Sequence, residues 1–136
     1  KNSYERLQKK AQDLLPEASY KWAGFINEGD LKMYFSMCDL TIYPYTVAMS
    51  SSGPMAMSIA YEVPFIASDV FNDFFSNKNN LFERNINSFT EVLHMALHNP
   101  NQIIENIKQM RKDRSWPAVA AQHVESYNRV IERNEV

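Results

Sequence analysis

The sequence predicts an α/β protein in which helices cover both faces of a parallel sheet and further helices finish the chain. Three observations predict this class. Short segments rich in β-branched and aromatic residues alternate with helical patterns as far as about residue 83. The strand segments "LTIYPY" and "PFIAS" are almost continuously apolar, which is typical of strands buried on both faces and joined by right-handed crossovers. From Ser88 onward every segment has a helical pattern.

The first elements are a helix, a strand and a second helix. Tyr4, Leu7, Ala11 and Leu14 recur at helical spacing, and Pro16 ends that run. "YKWAGF", residues 20–25, has the composition of a short strand closed by Gly24. "NEGDLKMYFSMCD", residues 27–39, predicts a mostly buried helix with Asp30 as its N-cap.

The middle of the chain holds the remaining strands. The predicted order is a strand over 40–45 that ends at Pro44, a helix over 53–61, a strand over 64–68, a helix or turn over 69–75 and an edge strand over 80–83. Three helices follow, over 88–99, 100–115 and 115–134. Ser115 is expected to cap the last of them, with Pro117 in its first turn.

The composition limits the classes of function that the chain can have. The chain of 136 residues fits one domain, and 45% apolar residues suffice for a core. A net charge of −2 lacks the basic excess that binding to a phosphate backbone needs, so we expect no nucleic-acid partner. No stretch approaches the roughly 20 apolar residues of a membrane span. The single cysteine, Cys38, predicts a buried thiol in a reducing compartment, the cytoplasm.

Only three or four strands can be counted, and the chain begins with a helix rather than with a strand and a glycine-rich turn. Doubly wound domains usually have more strands. Either the domain is small or its first β-α-β unit is missing, and we favour the second interpretation. A missing unit would leave an exposed sheet edge, through which we expect a homodimer to form.

One segment has the features of a phosphate-binding turn. Ser50, Ser51, Ser52 and Gly53 follow a strand end and precede a helix. Unpaired amides and a partial positive charge at a helix N-terminus stabilise a phosphate, serine hydroxyls add donors, and glycine permits close approach. The same four residues also make an ordinary capped helix that binds nothing. The four residues alone do not decide between these readings.

A wider comparison of residues adds a resemblance. "SSGPMAMSIAYEVPFIASD" resembles the donor-binding segment of the retaining GT-B glycosyltransferases of family 4, with Ala60, Val63, Pro64 and the run from Ile66 to Asp69 in matching places. "YKWAGFINEGDLKMYFSMCDLTIYPY" is similar to the strand, Gly-Phe turn, helix and strand that precede it in that family. "SWPAVAAQHVESYNRVI" is similar to the closing helix. The resemblance covers roughly residues 4 to 132.

The resemblance implies a Rossmann-like, nucleotide-sugar-binding domain, residues 1–136, from a two-domain enzyme. It implies that Gly24, Phe25 and Ile26 offer backbone groups to the base, and that the donor segment of Ser50, Ser51, Ser52, Gly53, Pro54 and the Met55 amide surrounds the diphosphate. Tyr45 is expected to contact the donor because it stands at a strand end beside the predicted crevice. The donor would be UDP-, GDP- or ADP-linked, with no metal and no other cofactor. A hexose would pass with retention to a glycan acceptor held by the absent N-terminal domain, so this chain alone would be inactive.

The sequence departs from the family pattern at two positions that are usually glutamates, because Met49 and Met57 stand there. Methionine cannot replace a carboxylate that accepts hydrogen bonds from ribose. Glu62 stands where the family usually has a glycine with a left-handed backbone, which implies a different helix ending or a mildly strained one. The basic pair that serves the leaving diphosphate would come from segments before residue 1, since neither Lys21 nor Lys32 stands at the matching place. No residue of this sequence is assigned to that role, and the catalytic residues are unknown.

These departures keep a second interpretation open, in which the chain is a degenerate glycosyltransferase-like module that binds a protein partner. The other candidate residues are not expected to form functional sites. His94 and His98 are spaced i, i+4 but have no third metal ligand at a sensible spacing, so we expect no metal site. His123 and the basic residues 108–114 are expected on helix surfaces. Packing positions are expected for Tyr34, Phe35, Phe65 and Trp116.

Overall fold

The structure, a computed structural model, describes residues 3–47 and 52–134. The chain divides into two compact units, residues 1–31 and 32–136, with the boundary inside a helix. The elements in chain order are α1 (Ser3–Leu14), a 3₁₀ turn (Glu17–Ser19), α2 (Glu28–Ser36), β1 (Thr41–Tyr43), α3 (Gly53–Ala60), β2 (Phe65–Ser68), a 3₁₀ segment (Asp69–Phe74), β3 (Leu81–Phe82), α4 (Ile86–His98), α5 (Asn101–Asp113) and α6 (Trp116–Asn134).

The first unit contains α1 and an irregular segment. None of the residues of α1 is buried, and Leu7 and Leu14 are exposed. The rings of Tyr4 and Trp22 meet edge to face, with centroids 5.2 Å apart, and the Trp22 indole donates a hydrogen bond to the Tyr4 hydroxyl. The apolar positions of α1 therefore follow the predicted period without reaching a core.

The predicted strand over residues 20–25 is wrong, because this segment has no regular secondary structure. A short apolar run does not by itself specify a strand, since a strand needs a hydrogen-bonded neighbour to exist. The turn that was expected at Gly24 is present, with φ of 67°. Glycine adopts this left-handed backbone at no steric cost.

The second unit is built on a parallel sheet of three strands in the order β1-β2-β3. Thr41, Ile42 and Tyr43 of β1 lie opposite Phe65, Ile66 and Ala67 of β2, and Ala67 and Ser68 lie opposite Leu81 and Phe82 of β3. All four residues of the central strand β2 are buried, as its continuous apolar sequence predicts.

Helices from the C-terminal part complete the core. α4 packs on β2 and β3, and α5 packs on α3. The fully buried side chains include Phe65 and Ile66 of β2 and Ile103 and Ile107 of α5. The two α5 residues lie one turn apart, so they share one face of the helix. The α/β class, the parallel sheet and the helical C-terminal part are thus confirmed, while the fuller Rossmann-like assignment stays a prediction.

Several burial predictions are wrong. α2 begins at Glu28, so Asp30 lies within its first turn rather than at the N-cap, and none of its residues is buried. Met33 and Met37 are 54% and 65% exposed, and Cys38 is exposed as well. A helix that is apolar on several sides can bury only the side that has a neighbour. In α2 that side carries Phe35, whose ring lies 5.7 Å from the ring of Tyr61.

The C-terminal helix differs from its predicted packing at one residue. Trp116, expected in a packing position, is 87% exposed at the start of α6. The local features of this helix are confirmed, since the Ala118 amide donates to the Ser115 hydroxyl at 3.4 Å and Pro117 lies in the first turn. Capping depends on residues three positions apart, whereas burial depends on what else reaches that place.

The sequence allowed two endings for α3, a different one or a mildly strained one, and the structure has the strained ending. Glu62 has φ of 56°, the Glu62 amide donates to the Ile59 carbonyl at 3.2 Å, and the Val63 amide donates to the Ser58 carbonyl at 2.9 Å. These two bonds form a Schellman motif with a glutamate in the position that usually holds glycine. The carboxylate forms an ion pair with Arg111.

Candidate functional site

The carboxyl ends of β1 and β2 are adjacent, and the chain leaving β1 leads to the N-terminus of α3. Tyr45, two residues beyond β1, joins these parts. Its hydroxyl lies 3.0 Å from the Ser52 hydroxyl, and its carbonyl accepts a hydrogen bond from the Ser68 hydroxyl at 2.6 Å. Ligands of open parallel sheets gather beyond this edge. The structure therefore brings Tyr45 and the beginning of α3 together where a donor site was predicted.

Ser52 is the N-cap of α3. It has an extended backbone, and its hydroxyl oxygen accepts a hydrogen bond from the Met55 amide at 3.3 Å. Gly53 and Pro54, the next two residues, are exposed. A Cβ atom added to Gly53 would meet no atom within 4 Å. The capped-helix reading of this turn is therefore correct, and the exposed first turn also leaves room for an anion.

A chain of hydroxyl groups ties α3 to β1. The Ser58 hydroxyl lies 2.8 Å from the Thr41 hydroxyl and 2.6 Å from the Tyr43 hydroxyl, and Tyr43 also donates to the Pro54 carbonyl at 2.8 Å. Burial raises the pKa of Tyr43 above its ordinary value of 10.0, although the hydrogen bond with Ser58 opposes this. The neutral phenol thus holds the first turn of α3 against the sheet.

Arg84 is a functional candidate that the sequence reasoning missed. Its Nε donates to Asp69 Oδ1 at 2.8 Å, and its Nη1 donates to the Thr46 carbonyl at 3.1 Å. Thr46 follows β1, Asp69 follows β2 and Arg84 follows β3, so one guanidinium spans the carboxyl ends of all three strands. Its position directly after the predicted edge strand was the signal that could have found it.

The other predicted donor residues are placed as follows. Gly24, Phe25 and Ile26 belong to the first unit, where Phe25 is 92% exposed and Ile26 is half-buried. Met49, Ser50 and Ser51 lie outside the described residues. Met57 is half-buried on α3, and Met55 is buried in the core at 5% exposure, with its amide already donating to the Ser52 hydroxyl of the cap.

The remaining candidates form no site of this kind. The rings of His94 and His98 stack with centroids 4.0 Å apart, and His98 Nδ1 lies 2.9 Å from the His94 carbonyl oxygen. Within residues 3–47 and 52–134, no three His, Cys, Asp or Glu side chains are grouped so that they could hold a metal ion. His123 is exposed, and Lys108 pairs with Glu105 on the surface of α5.

Comparison with known proteins does not name a family, because no protein-family model, no curated protein and no solved structure matches this chain. The similarity to family 4 glycosyltransferases therefore remains a prediction. Across the described part of the chain, no helix combines the length and apolar character that crossing a membrane requires.

Proposed function

We propose that this chain is the nucleotide-sugar-binding half of a retaining, metal-independent GT-B glycosyltransferase that transfers a hexose to a glycan acceptor. One observation carries the proposal. The capped and exposed N-terminus of α3 lies beyond the carboxyl ends of β1 and β2, next to Tyr45, at the edge that Arg84 spans. The family-like sequence from Ser51 to Asp69 supports the choice of ligand.

The partial positive charge at the start of α3 suits a donor diphosphate. A donor diphosphate at the start of α3 would meet the positive end of the helix, the Gly53 backbone and the Ser52 hydroxyl. Negative charge grows on the diphosphate as the bond to the sugar breaks, so fixed dipoles aimed at it stabilise the transition state more than the bound donor. The hydroxyl chain through Tyr43 holds these dipoles in place.

Arg84 supplies the cation that the sequence left unassigned. Its side chain is 53% exposed, and its guanidinium already pairs with Asp69, which orients it along the edge of the sheet. In this role Arg84 would steer and hold the diphosphate rather than react with the sugar. The acceptor would be held by a second domain, and transfer would require that domain.

A titration of the chain with UDP, GDP and ADP, followed by amide NMR shifts, tests the proposal. We expect at least one nucleotide to shift the amides of residues 52–56 at up to millimolar concentration. Gly53→Ala should weaken this binding, because the backbone at this position could no longer be approached as closely by a diphosphate. A Cβ atom there meets no atom within 4 Å, so the unfolding free energy should stay the same or rise by up to about 1 kcal/mol.

Arg84→Gln should weaken nucleotide binding by about tenfold, the loss expected for one charge-assisted contact. Arg129→Gln is the matched control, because Arg129 is also an exposed arginine paired with a carboxylate, that of Glu125 on α6. The proposal fails if none of the three nucleotides shifts these amides, or if both arginine variants bind equally well.

A second function is favoured by Met57. The family places a ribose-binding carboxylate there, and this chain has a half-buried thioether. A module that has lost catalysis and binds a protein partner would tolerate that change. Failure of all three nucleotides in the titration, with the fold intact, is the result that this second function predicts.

A further inference from the structure

The second unit contains a cavity of about 570 Å³, most of whose lining residues lie outside the proposed donor site. It is lined by Met55 and Ile59 of α3, by Phe71 of the 3₁₀ segment and by Phe75, the residue that follows this segment. The junction of α5 and α6 closes the end, with Arg114 and Trp116. Cavities of roughly 300 to 1,000 Å³ hold single small-molecule ligands.

The two ends of this cavity differ in chemistry. Met55, Ile59, Phe71 and Phe75 are each at most 5% exposed and offer no hydrogen bonds from their side chains. The Arg114 guanidinium donates to the Phe74 carbonyl at 3.1 Å and lies 5.2 Å from the centre of the Phe75 ring. These two contacts hold Arg114 at one end of the cavity, beside the apolar side chains of its lining. Arg111, Ser52 and Ser115 also line the cavity, and Arg111 is paired with Glu62.

The charge of Arg114 has no local counterion. Among residues 3–47 and 52–134 no carboxylate lies within ion-pairing distance of it, whereas the neighbouring Arg111 pairs with Glu62. A carbonyl and an aromatic ring orient a guanidinium without neutralising it. An anion placed at this end would therefore gain a charge-assisted hydrogen bond at little cost in ordering the side chain.

We propose that this cavity binds a single-chain amphiphilic carboxylate, with its hydrocarbon chain against the apolar side chains of the lining and its carboxylate on Arg114. A nucleotide fits this lining poorly, because its base and ribose carry polar groups along their length and the walls would leave them without partners. A neutral or cationic amphiphile fits the walls but not Arg114.

The proposal does not depend on the proposed donor site. Ser52 and Met55 line the cavity and also belong to the predicted donor site, but the cations differ, since the carboxylate would bind Arg114 and the diphosphate would bind near Arg84. Binding at one site can be measured while the other stays empty.

Calorimetry with decanoate and decyltrimethylammonium, both below their micelle-forming concentrations, tests the inference. The two probes have the same chain and opposite charge. We expect decanoate to bind with 1:1 stoichiometry and at least about tenfold more tightly than the cation, and to shift the methyl NMR signals of Met55 and Ile59. Absence of decanoate binding, or equal affinity for the two probes, overturns the inference whatever the nucleotides do.

Two variants with matched controls locate the site. Arg114→Gln should lower decanoate affinity by about tenfold and remove the preference for the anion, whereas Lys112→Gln, which makes the same charge change on an exposed residue outside the cavity, should have no effect. Ala56→Phe places a ring in the cavity from an exposed position on α3 and should abolish binding, while Ala121→Phe on exposed α6 should not.

Decanoate binding that survives both Arg114→Gln and Ala56→Phe would overturn the assignment to this cavity. Circular dichroism of each variant establishes that it is folded. If Arg114→Gln loses structure because its contacts with Phe74 and Phe75 are lost, Ala56→Phe still decides, since it leaves those contacts unchanged. Nucleotide binding by Ala56→Phe, measured in parallel, separates failure of this inference from failure of the donor site.

Discussion

Glu62 shows how one residue can carry strain that the fold tolerates. Its left-handed backbone, with φ of 56°, costs an L-residue about 1 kcal/mol relative to glycine, while its ion pair with Arg111 joins two exposed side chains and returns less than that. Glu62→Gly should therefore raise the free energy of unfolding by several tenths of a kcal/mol up to about 1 kcal/mol. Urea denaturation measures the change.

Glu62→Gln is the control for this substitution, because it removes the charge and keeps the strained backbone. It should leave stability unchanged or lower it slightly. A gain in stability from glutamine equal to that from glycine would show that the charge, and not the backbone, is the unfavourable feature.

The burial of single residues could be predicted from the sequence only in part. Phe65 was expected in a packing position and is buried, but Trp116 and Cys38 were expected to be inside and are exposed. All three are apolar residue types that usually favour burial. Their burial differs because β2 has a strand on each side, while α6 and the end of α2 leave those side chains open to solvent.

Among the elements, the attachment of α3 to β1 decides whether the candidate site is rigid. Tyr43→Phe removes the phenol that bonds to Ser58 and to the Pro54 carbonyl, and we expect it to lower the free energy of unfolding by about 1 to 2 kcal/mol at neutral pH. The Ser58 hydroxyl keeps Thr41 as a partner, which limits the loss.

The effect of Tyr43→Phe should depend on pH. Because burial raises the pKa of Tyr43 above 10.0, the folded state keeps its proton where the unfolded state begins to lose it. The stabilisation is thus complete below pH 10.0 and falls as the pH rises from there towards the folded pKa. The difference between wild type and Tyr43→Phe should narrow above pH 10.0.

Urea denaturation on both sides of that pH measures this narrowing. Tyr127→Phe, a change on an exposed residue of α6, should give a difference from wild type that does not vary with pH. A constant difference for Tyr43→Phe as well would mean that the buried phenol does not stay neutral in the fold.

Most elements could be predicted because residues at or near their ends determine where they begin and end. The structure confirms α1, α3, β1, β2, β3 and the three C-terminal helices close to their predicted bounds, since prolines, caps and short apolar runs act within a few residues. Residues 20–25 form no strand although their composition favours one, because a strand depends on a partner that composition does not provide.

At the scale of the whole molecule, the core is unevenly distributed. Every buried residue among those described lies between Tyr43 and Met110, and neither α1 nor α6 contributes one. Most of the stability of helices in proteins comes from tertiary packing of an amphipathic face. The two terminal helices are therefore expected to open far more readily than the sheet.

Native-state hydrogen exchange tests this distribution on the intact chain. We expect protection factors in α1 and α6 to be at least roughly 100-fold smaller than in β2 and in the part of α5 around Ile103 and Ile107. Equal protection in all four elements would contradict the described burial.

A concentration series extends the same measurement to self-association. The homodimer expected through the sheet edge would raise protection in β1 as the protein concentration rises, because new hydrogen bonds would form on the side of β1 that faces away from β2. β2, already paired on both sides, is the internal control. Protection in β1 that does not change with concentration would count against the dimer.

The sequence by itself determined the α/β class, the order of the elements from the second helix onward, the Ser115 cap and the unusual glutamate at the end of α3, because each depends on residues a few positions apart. Tertiary structure decided the rest. Arg84 reaches Thr46 across 38 positions and Arg111 reaches Glu62 across 49, and the cavity at Arg114 joins α3, the 3₁₀ segment and the α5–α6 junction. No local pattern encodes such contacts, since they exist only after distant segments have packed together.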